Sequence, residues 1–252
     1  MKKFLAVCLA VGMLMVASKA WATRPFITDN ASVIPGHALK LEPSFKYNKN
    51  TVKQKNNIGF GITNWLEASG SFAWGRTIKD NVVNHWGLIG PTLKLKGLIA
   101  APVVDGMPGL AVAIGTKMPY ASDKSMESAI WMQYAYVATT AKVLGGDLQI
   151  HANAGALMKE PRSMDDIHTV ELWGVGAQYK LIGGLNVIGE VFSGNRQTGN
   201  EGGAWQAGLR YLFNDAVALD TTVGRGLWSR NGMAKEPLWI GCGLRIVTAQ
   251  LW

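Results

Sequence analysis

A regular alternation of apolar and polar residues runs through most of this chain and limits what it can fold into. Segment 37–47 shows it first, with one parity apolar and the other polar: Leu39, Leu41, Phe45 and Tyr47 against Lys40, Glu42, Ser44 and Lys46. Because a β-strand sends successive side chains to opposite faces, such a segment has one apolar and one polar face. About twelve such segments predict an all-β chain, folded as a closed antiparallel up-and-down transmembrane β-barrel with its apolar face outside.

The predicted strands follow one another as a single domain over residues 37–252. Their approximate ranges are 37–47, 56–63, 65–75, 86–96, 108–118, 130–142, 147–158, 168–180, 184–193, 203–213, 216–226 and 237–252. In 130–142 both parities carry aromatic residues, and in 184–193 Ile188 and Phe192 fall in the polar set. These mixed segments indicate either a partly apolar lumen or a wrong assignment of the inward parity.

The connections between the predicted strands alternate in length. The long polar ones are 48–55, 76–85, 119–129, 159–167, 194–202 and 227–236, and the short ones are Asn64, 143–146, 181–183 and 214–215. Outer-membrane barrels have long extracellular loops and short periplasmic turns, so this order predicts that both termini lie on the periplasmic side. Segment 97–107 falls where a short turn is expected, and it is either an elongated turn or a misplaced strand boundary.

Residues 1–22 are typical of a secretory signal peptide. Lys2 and Lys3 precede an apolar stretch, 4–16, that is short for a bilayer span, and Ala20-Trp21-Ala22 is a small-x-small cleavage motif. The alternative is an uncleaved membrane anchor. After cleavage the chain begins with a lead-in segment, 23–36, and continues as the barrel, 37–252.

Charge and cysteine content argue against several other classes. Removal of Lys2, Lys3 and Lys19 with the signal peptide takes the 25 basic residues down to 22, against 17 acidic ones. This excess is mild and the chain has no run of five or six basic residues, so nucleic acid is not an expected partner. Cys242 then has no second cysteine to pair with, and no later segment is apolar for long enough to predict a transmembrane helix.

The start of the predicted mature chain, Thr23-Arg24-Pro25-Phe26-Ile27-Thr28-Asp29-Asn30-Ala31, resembles the opening motif of a bacterial outer-membrane family. That family is labelled for the MetA pathway of phenol degradation and is often described as a transporter. Pro35-Gly36, Leu39-Lys40-Leu41-Glu42 and Gly59-Phe60-Gly61-Ile62-Thr63-Asn64-Trp65-Leu66-Glu67 are similar to its first strand and early hairpin. The resemblance implies an outer-membrane barrel for small molecules, hydrophobic or aromatic ones by the label, and supplies no catalytic residues.

The polar parity supplies the candidate lumen-lining residues. They are Lys40, Glu42, Lys46, Glu67, Lys94, Lys96, Lys117, His151, Glu190, Arg210, Asp220 and Arg245. Mixed charges on a lumen wall provide a transverse field and a hydrogen-bonding surface for passing solutes, so a passive channel or transporter is the leading hypothesis. Lys94, Lys96 and Lys117 would favour anions, unless they pair with Glu67 or are solvated near a rim.

Three other functions compete with a channel. Opposing lumen charges can pair and fill a barrel of this size, giving a structural barrel without transport. A barrel hydrolase would draw on His151, Asn153, Ser69 or Ser71, but the chain has neither a Gly-x-Ser-x-Gly nor a His-Glu-x-x-His motif. A soluble periplasmic barrel would require the apolar parity inside.

The sequence therefore predicts a non-enzymatic protein of the Gram-negative outer membrane. No cofactor or metal is expected, since His37, His85 and His168 have no metal-ligand spacing. The expected partners are outer-membrane lipid and lipopolysaccharide, a small-molecule solute and the barrel-assembly machinery. The amphipathic last strand, which ends on the aromatic Trp252, resembles the signal that this machinery recognises.

Overall fold

The computed structural model describes residues 25–79, 82–83, 86–120, 131–160, 168–195, 200–230 and 234–251, so the predicted signal peptide lies outside the described residues. The strands are β1 (Leu39–Asn48), β2 (Thr51–Thr63), β3 (Leu66–Lys79), β4 (Val82–Val83), β5 (Gly87–Ala100), β6 (Gly109–Lys117), β7 (Trp131–Val143), β8 (Leu148–Glu160), β9 (His168–Ile182), β10 (Leu185–Asn195), β11 (Asn200–Leu212), β12 (Val217–Trp228) and β13 (Trp239–Val247). A short 3₁₀ turn, Leu144–Gly146, links β7 to β8. The two-residue β4 pairs with the end of β3, and the other twelve strands form one closed antiparallel barrel, which confirms the predicted fold class.

The barrel closes where its first and last strands meet. β1 runs antiparallel to β13, with Lys40 opposite Val247 and Asn48 opposite Trp239. Past β13, the N–H of Leu251 donates to the carbonyl of His37 at 2.9 Å. Each barrel strand is thus hydrogen-bonded on both sides, which removes the open edges that would otherwise recruit another chain.

The outer face of the barrel is apolar and the enclosed face is largely polar. Ile114 is 59% exposed and Val175 is 53% exposed, whereas Glu67 and Lys96 on the enclosed face are each 1% exposed. The alternation therefore predicts the direction of the side chains, and the opposite arrangement required by a soluble barrel is not observed. No helix within the described ranges is long and apolar enough to cross a bilayer.

Segment 48–55 is not a long loop, and that prediction was wrong. β1 and β2 are joined by the tight turn Lys49-Asn50, and the Asn48 Oδ1 accepts hydrogen bonds from the N–H groups of Asn50 and Thr51 at 2.8 Å each. An Asn side chain that bonds to the following backbone in this way stabilises a turn. The start of β2 differs from the prediction because residues 51–55 are polar on both faces apart from Val52, and so resemble a loop in composition.

Segment 97–107 combines a misplaced boundary with an elongated turn. β5 continues to Ala100 and β6 begins at Gly109. Within the connection, the N–H of Asp105 donates to the carbonyl of Lys142 at 2.7 Å, and the Asp105 Oδ2 accepts from the N–H of Gly145 at 2.8 Å. The connection thus folds against the β7–β8 turn. The last strand also differs from prediction, since β13 ends at Val247.

Candidate functional site

Residues 26–36, here called the lumen segment, lie inside the barrel. The segment has no alternating pattern and no strand partner, so its backbone N–H groups need other acceptors. Five side chains around the barrel supply many of these acceptors. The donor–acceptor pairs are Gly36 to Asn64, Ile34 to Glu67, Ala31 to Thr140, Asp29 to Asn153, and Ile27 and Thr28 to Glu190. The predicted lead-in therefore crosses the lumen from the β2–β3 turn to β10.

Glu190 fixes the far end of this segment. One carboxylate oxygen accepts from the N–H of Ile27 at 2.6 Å, and the other accepts from the N–H of Thr28 at 2.8 Å. The Gln206 amide donates to the first oxygen at 2.6 Å and also to the carbonyl of Pro25 at 2.8 Å. A buried carboxylate with this many donors is satisfied without a cation.

Asp29 is the charged centre of the segment. Its side chain is fully buried and contacts Lys94 at 2.9 Å, Lys96 at 3.1 Å and the Tyr136 hydroxyl at 2.5 Å. Glu67 approaches the same two lysines at 3.3 and 3.8 Å. Lys94 and Lys96 thus lie within ion-pair distance of Glu67, which was the alternative to an anion-favouring lumen. Their other carboxylate partner, Asp29, belongs to the lumen segment.

Glycines on the inner wall make room for the lumen segment. A Cβ at Gly61 on β2 would collide with the carbonyl oxygen of Pro35, and a Cβ at Gly174 on β9 would collide with the hydroxyl of Thr28. Glycine in a strand often marks the close approach of another part of the chain. Inward-facing glycines were therefore a signal for this segment that sequence reasoning did not use.

The remaining candidate residues are distributed around the enclosed face. Lys40 contacts Glu42 at 3.6 Å, Lys46 forms an ion pair with Glu236, Arg210 donates to Gln178 at 2.5 Å, and Arg245 donates to the carbonyl of Asp215 at 3.0 Å. Lys117 and Asp220 are buried on the same face. The twelve residues therefore form several separate groups, with Glu67, Lys94, Lys96, His151 and Glu190 close to the lumen segment.

His151 is arranged as a packing residue. Its Nδ1 lies 3.0 Å from the hydroxyl of Thr140, which accepts the N–H of Ala31, and its ring is in edge contact with Phe26. Asn153 exchanges hydrogen bonds with Asp29. Ser69 and Ser71 instead line a cavity from which His151 is absent, so the residues considered for a hydrolase are not brought together.

The lumen is partly apolar, as one reading of the mixed segments suggested. Ile188 and Phe192 are buried on the enclosed face of β10, and Phe192 packs with Ala204, Trp239 and Ile27. A larger apolar group covers the inner wall of β6 to β9: Ala113, Met132, Tyr134, Tyr136, Ala138, Leu157, Val170 and Leu172. Apolar packing thus fills one side of the barrel interior.

A cavity of about 210 Å³, here called the vestibule, remains beside the lumen segment. Phe26, Ile27 and Asp29 of the segment contribute to its lining. Its other residues include Lys46, Lys53, Lys55 and Lys94, several hydroxyl and amide side chains, and the aromatic rings of Phe192 and Trp239. Lys46 and Lys53 lie near the β1–β2 turn, and Phe192 and Trp239 lie near the same end of the barrel. Within the described residues, no cluster of His, Cys, Asp and Glu could hold a metal ion.

Comparisons with solved structures place the fold among outer-membrane barrels. The COG4313 outer membrane channel from Pseudomonas putida F1 is 12% identical, with a TM-score of 0.57 over 86% of this chain and 97% of that one. The KdgM porin in complex with disordered oligogalacturonate is 10% identical, with a TM-score of 0.58 over 82% and 98%. The NanC porin is 12% identical, with a TM-score of 0.54 over 84% and 100%. At these identities the likeness concerns the fold.

No curated protein sequence matches the chain. A sequence profile does match residues 87–247, which is more than half of the chain and runs from β5 to the end of β13. The chain belongs to the family described as "Uncharacterised conserved protein UCP029691".

Proposed function

We propose that this barrel resides in the outer membrane and acts as a passive channel for small solutes, with the lumen segment at its constriction. The observation that carries the proposal is a polar vestibule enclosed by an apolar outer wall. An apolar exterior suits lipid contact, and a polar, charged interior suits passage of hydrated or polar solutes.

The manner in which the lumen segment is held supports a channel over a permanently filled barrel. The N–H groups of the segment that bond to the wall do so through individual side chains and not through a neighbouring strand. Such contacts can be exchanged for water one at a time, whereas a strand paired along its length opens cooperatively. The twelve candidate residues would act as lumen lining in this proposal, with Asp29 as an addition.

The other expectations from the sequence extend the proposal. Signal peptide 1–22 would direct export, lipid and lipopolysaccharide would surround the barrel, and the assembly machinery would insert it. The resemblance to the phenol-degradation family suggests a hydrophobic or aromatic solute. The charged vestibule adds a requirement for a polar or charged group on that solute.

Conductance in planar bilayers tests the proposed function. Protein purified from outer membranes should give discrete single-channel currents, and its migration on gels should change on heating as closed barrels do. Recovery in the soluble periplasmic fraction, or a folded barrel that gives no current, would contradict the proposal.

A further inference from the structure

Two amide side chains interrupt the apolar outer face of the barrel on β2. The Asn57 side chain points inward and donates to the buried Glu42 at 2.8 Å. Because side chains alternate along a strand, Gln54 and Asn56 point outward. Asn56 is one residue from the middle of the 13-residue β2, and about 9–11 residues of a tilted strand cross the hydrocarbon core of a membrane. Both amides therefore face the lipid within the part of β2 that would span the bilayer.

The hydrogen-bonding capacity of these two amides is largely unused. Each amide offers two N–H donors and an oxygen with two lone pairs. The Gln54 Nε2 donates to the Asn56 Oδ1 at 3.4 Å, which is long for a hydrogen bond. In the part of the chain that the structure describes, the Gln54 Oε1 and the Asn56 Nδ2 have no hydrogen-bond partner. The two amides thus retain both a donor and an acceptor for a group outside the barrel.

The backbone beside Asn56 has a gap in its hydrogen bonding as well. The N–H of Thr248 donates to the carbonyl of Leu39 at 2.8 Å, so every second residue of β1 from Leu39 onward, Pro43 included, faces β13 with its backbone polar groups. Proline has no N–H, and the β1–β13 register of the described strands has no pair at Glu42 or Pro43. The opposite carbonyl, that of Leu244, therefore receives no N–H from β1. Pro43 is also the register partner of Asn56, so the gap adjoins the amides.

The surroundings of the amides favour a neutral, hydrogen-bonding partner. The register partners of the two amides are all uncharged: Phe45 and Trp74 for Gln54, and Pro43 and Phe72 for Asn56. This row of residues therefore has no positive charge for the phosphate groups of a lipid. Lipid acyl chains cannot form hydrogen bonds, whereas polar side chains within a membrane bond to those of a neighbouring protein.

We propose that two copies of this chain pair in the outer membrane through the outer face of β1 to β3. An amide is both donor and acceptor, so the Gln54 and Asn56 side chains of one copy can bond to the same side chains of the other. A two-fold axis brings identical patches of two subunits together, which is the arrangement that such self-complementary groups require. The inference rests on the membrane residence in the proposed function, but each barrel keeps its own lumen.

Chemical cross-linking at the end of β2 tests this pairing. Val52→Cys places a thiol on the outer face, two residues from Gln54, and Cys242→Ser removes the other cysteine of the predicted mature chain. Thr169→Cys is the matched control, because Thr169 is the second residue of β9 as Val52 is of β2, and β9 lies six strands from β2 in either direction. In phosphatidylcholine vesicles that contain only the purified protein, a short bismaleimide should cross-link Val52→Cys several-fold more than Thr169→Cys.

Two further variants test the role of the amides. Gln54→Leu with Asn56→Leu completes the apolar exterior and removes the proposed bonds between copies, so it should reduce cross-linking of Val52→Cys several-fold. Gln133→Leu removes another outward amide, one on β7 that donates to Glu160 at 3.5 Å, and should leave the cross-linking unchanged. If the double leucine variant does not migrate as a folded barrel, Asn56→Leu alone replaces it.

The outcomes separate this inference from the channel proposal. Equal cross-linking at Val52 and Thr169, or no loss in the leucine variant, overturns the pairing and leaves the channel in place. Cross-linking that occurs in native outer membranes but not in the vesicles also overturns it, because another membrane component would then be required. The measurement needs no current, so a barrel that does not conduct still tests the pairing. Recovery of the protein in the soluble periplasmic fraction contradicts membrane residence, and with it both proposals.

Discussion

Asp29 connects the lumen segment to the barrel wall through Lys94, Lys96 and Tyr136. Asp29→Asn keeps its shape but removes its charge, so that the buried Lys96 and the half-buried Lys94 lose one of their carboxylate partners. Breaking a buried ion pair from one side costs about 3–5 kcal/mol, so the variant should lose its heat-resistant folded band at a lower temperature. Asp105→Asn, in the exposed β5–β6 connection, is the control. Equal melting of the two variants would show that the Asp29 charge does not stabilise the fold.

Gly61 tests the close approach between the wall and the lumen segment. In Gly61→Val the new side chain meets the carbonyl of Pro35 and should displace the segment. A cysteine introduced at Ser32 should then react faster with a bulky maleimide. Gly97→Val is matched to it, because its Cβ would lie 4.0 Å from the nearest atom, and it should leave the reaction rate unchanged. An unchanged rate in Gly61→Val would contradict the tight packing of Pro35.

For single residues, the sequence predicts which side chains point into the barrel, but it does not predict their ion-pair partners. The parity of Lys94 and Lys96 followed from the period of two in β5. Their partner Asp29 lies in a segment without periodicity, so no pattern in the sequence indicated that it reaches them. The identity of a charge partner depends on the path of the chain in three dimensions, which alternation does not encode.

The lumen segment takes no part in the hydrogen-bonded pairing of the barrel strands. The twelve barrel strands pair with one another and none pairs with residues 26–36. Deletion of residues 26–34 should therefore leave a barrel that still shows heat-modifiable migration, with a single-channel conductance several-fold above wild type. A similar deletion in the β5–β6 connection, 103–107, should leave the conductance near that of wild type. A deletion of 26–34 that folds without raising the conductance would remove the segment as the constriction.

β2 shows where predictions about elements fail. The prediction places residues 56–63 in a strand correctly, but residues 51–55 carry polar side chains on both faces, with Val52 as the exception. These residues form a strand because their backbone pairs with β1 and β3, and pairing does not require an apolar side chain. Composition therefore misassigned a hairpin as a loop.

At the scale of the whole molecule, the apolar exterior predicts that a charged side chain on the outer face, at the middle of a strand, strongly reduces the stability of the barrel in lipid. Val175 lies at the middle of β9 on the outer face. Val175→Arg should destabilise the barrel in lipid vesicles by about 2–4 kcal/mol, as charged residues do near the bilayer midplane. Val104→Arg, in a connection outside the barrel wall, should have a small effect on urea unfolding. Equal stability of the two variants would contradict a membrane-spanning orientation.

Closure, strand number and polarity of the whole barrel were predictable because each follows from a short-range period and an even count of strands. The path of the lumen segment was not, because the segment is non-periodic, and Ile188 on the inward parity left a partly apolar lumen and a wrong parity assignment as alternatives. The fold was thus determined largely by local alternation, whereas the vestibule was determined by long-range contacts.

The hydrogen bonds that hold the lumen segment to the wall also imply an order in which the barrel assembles. The sequence separations of these contacts extend from 28 residues, for Gly36 with Asn64, to 163 residues, for Ile27 with Glu190. The acceptors on β8 and β10 reach their final positions only after most of the barrel strands have paired. Loop-closure entropy opposes earlier docking of so distant a pair. Of the residues that the structure describes, those synthesised first are therefore among the last to reach their final position.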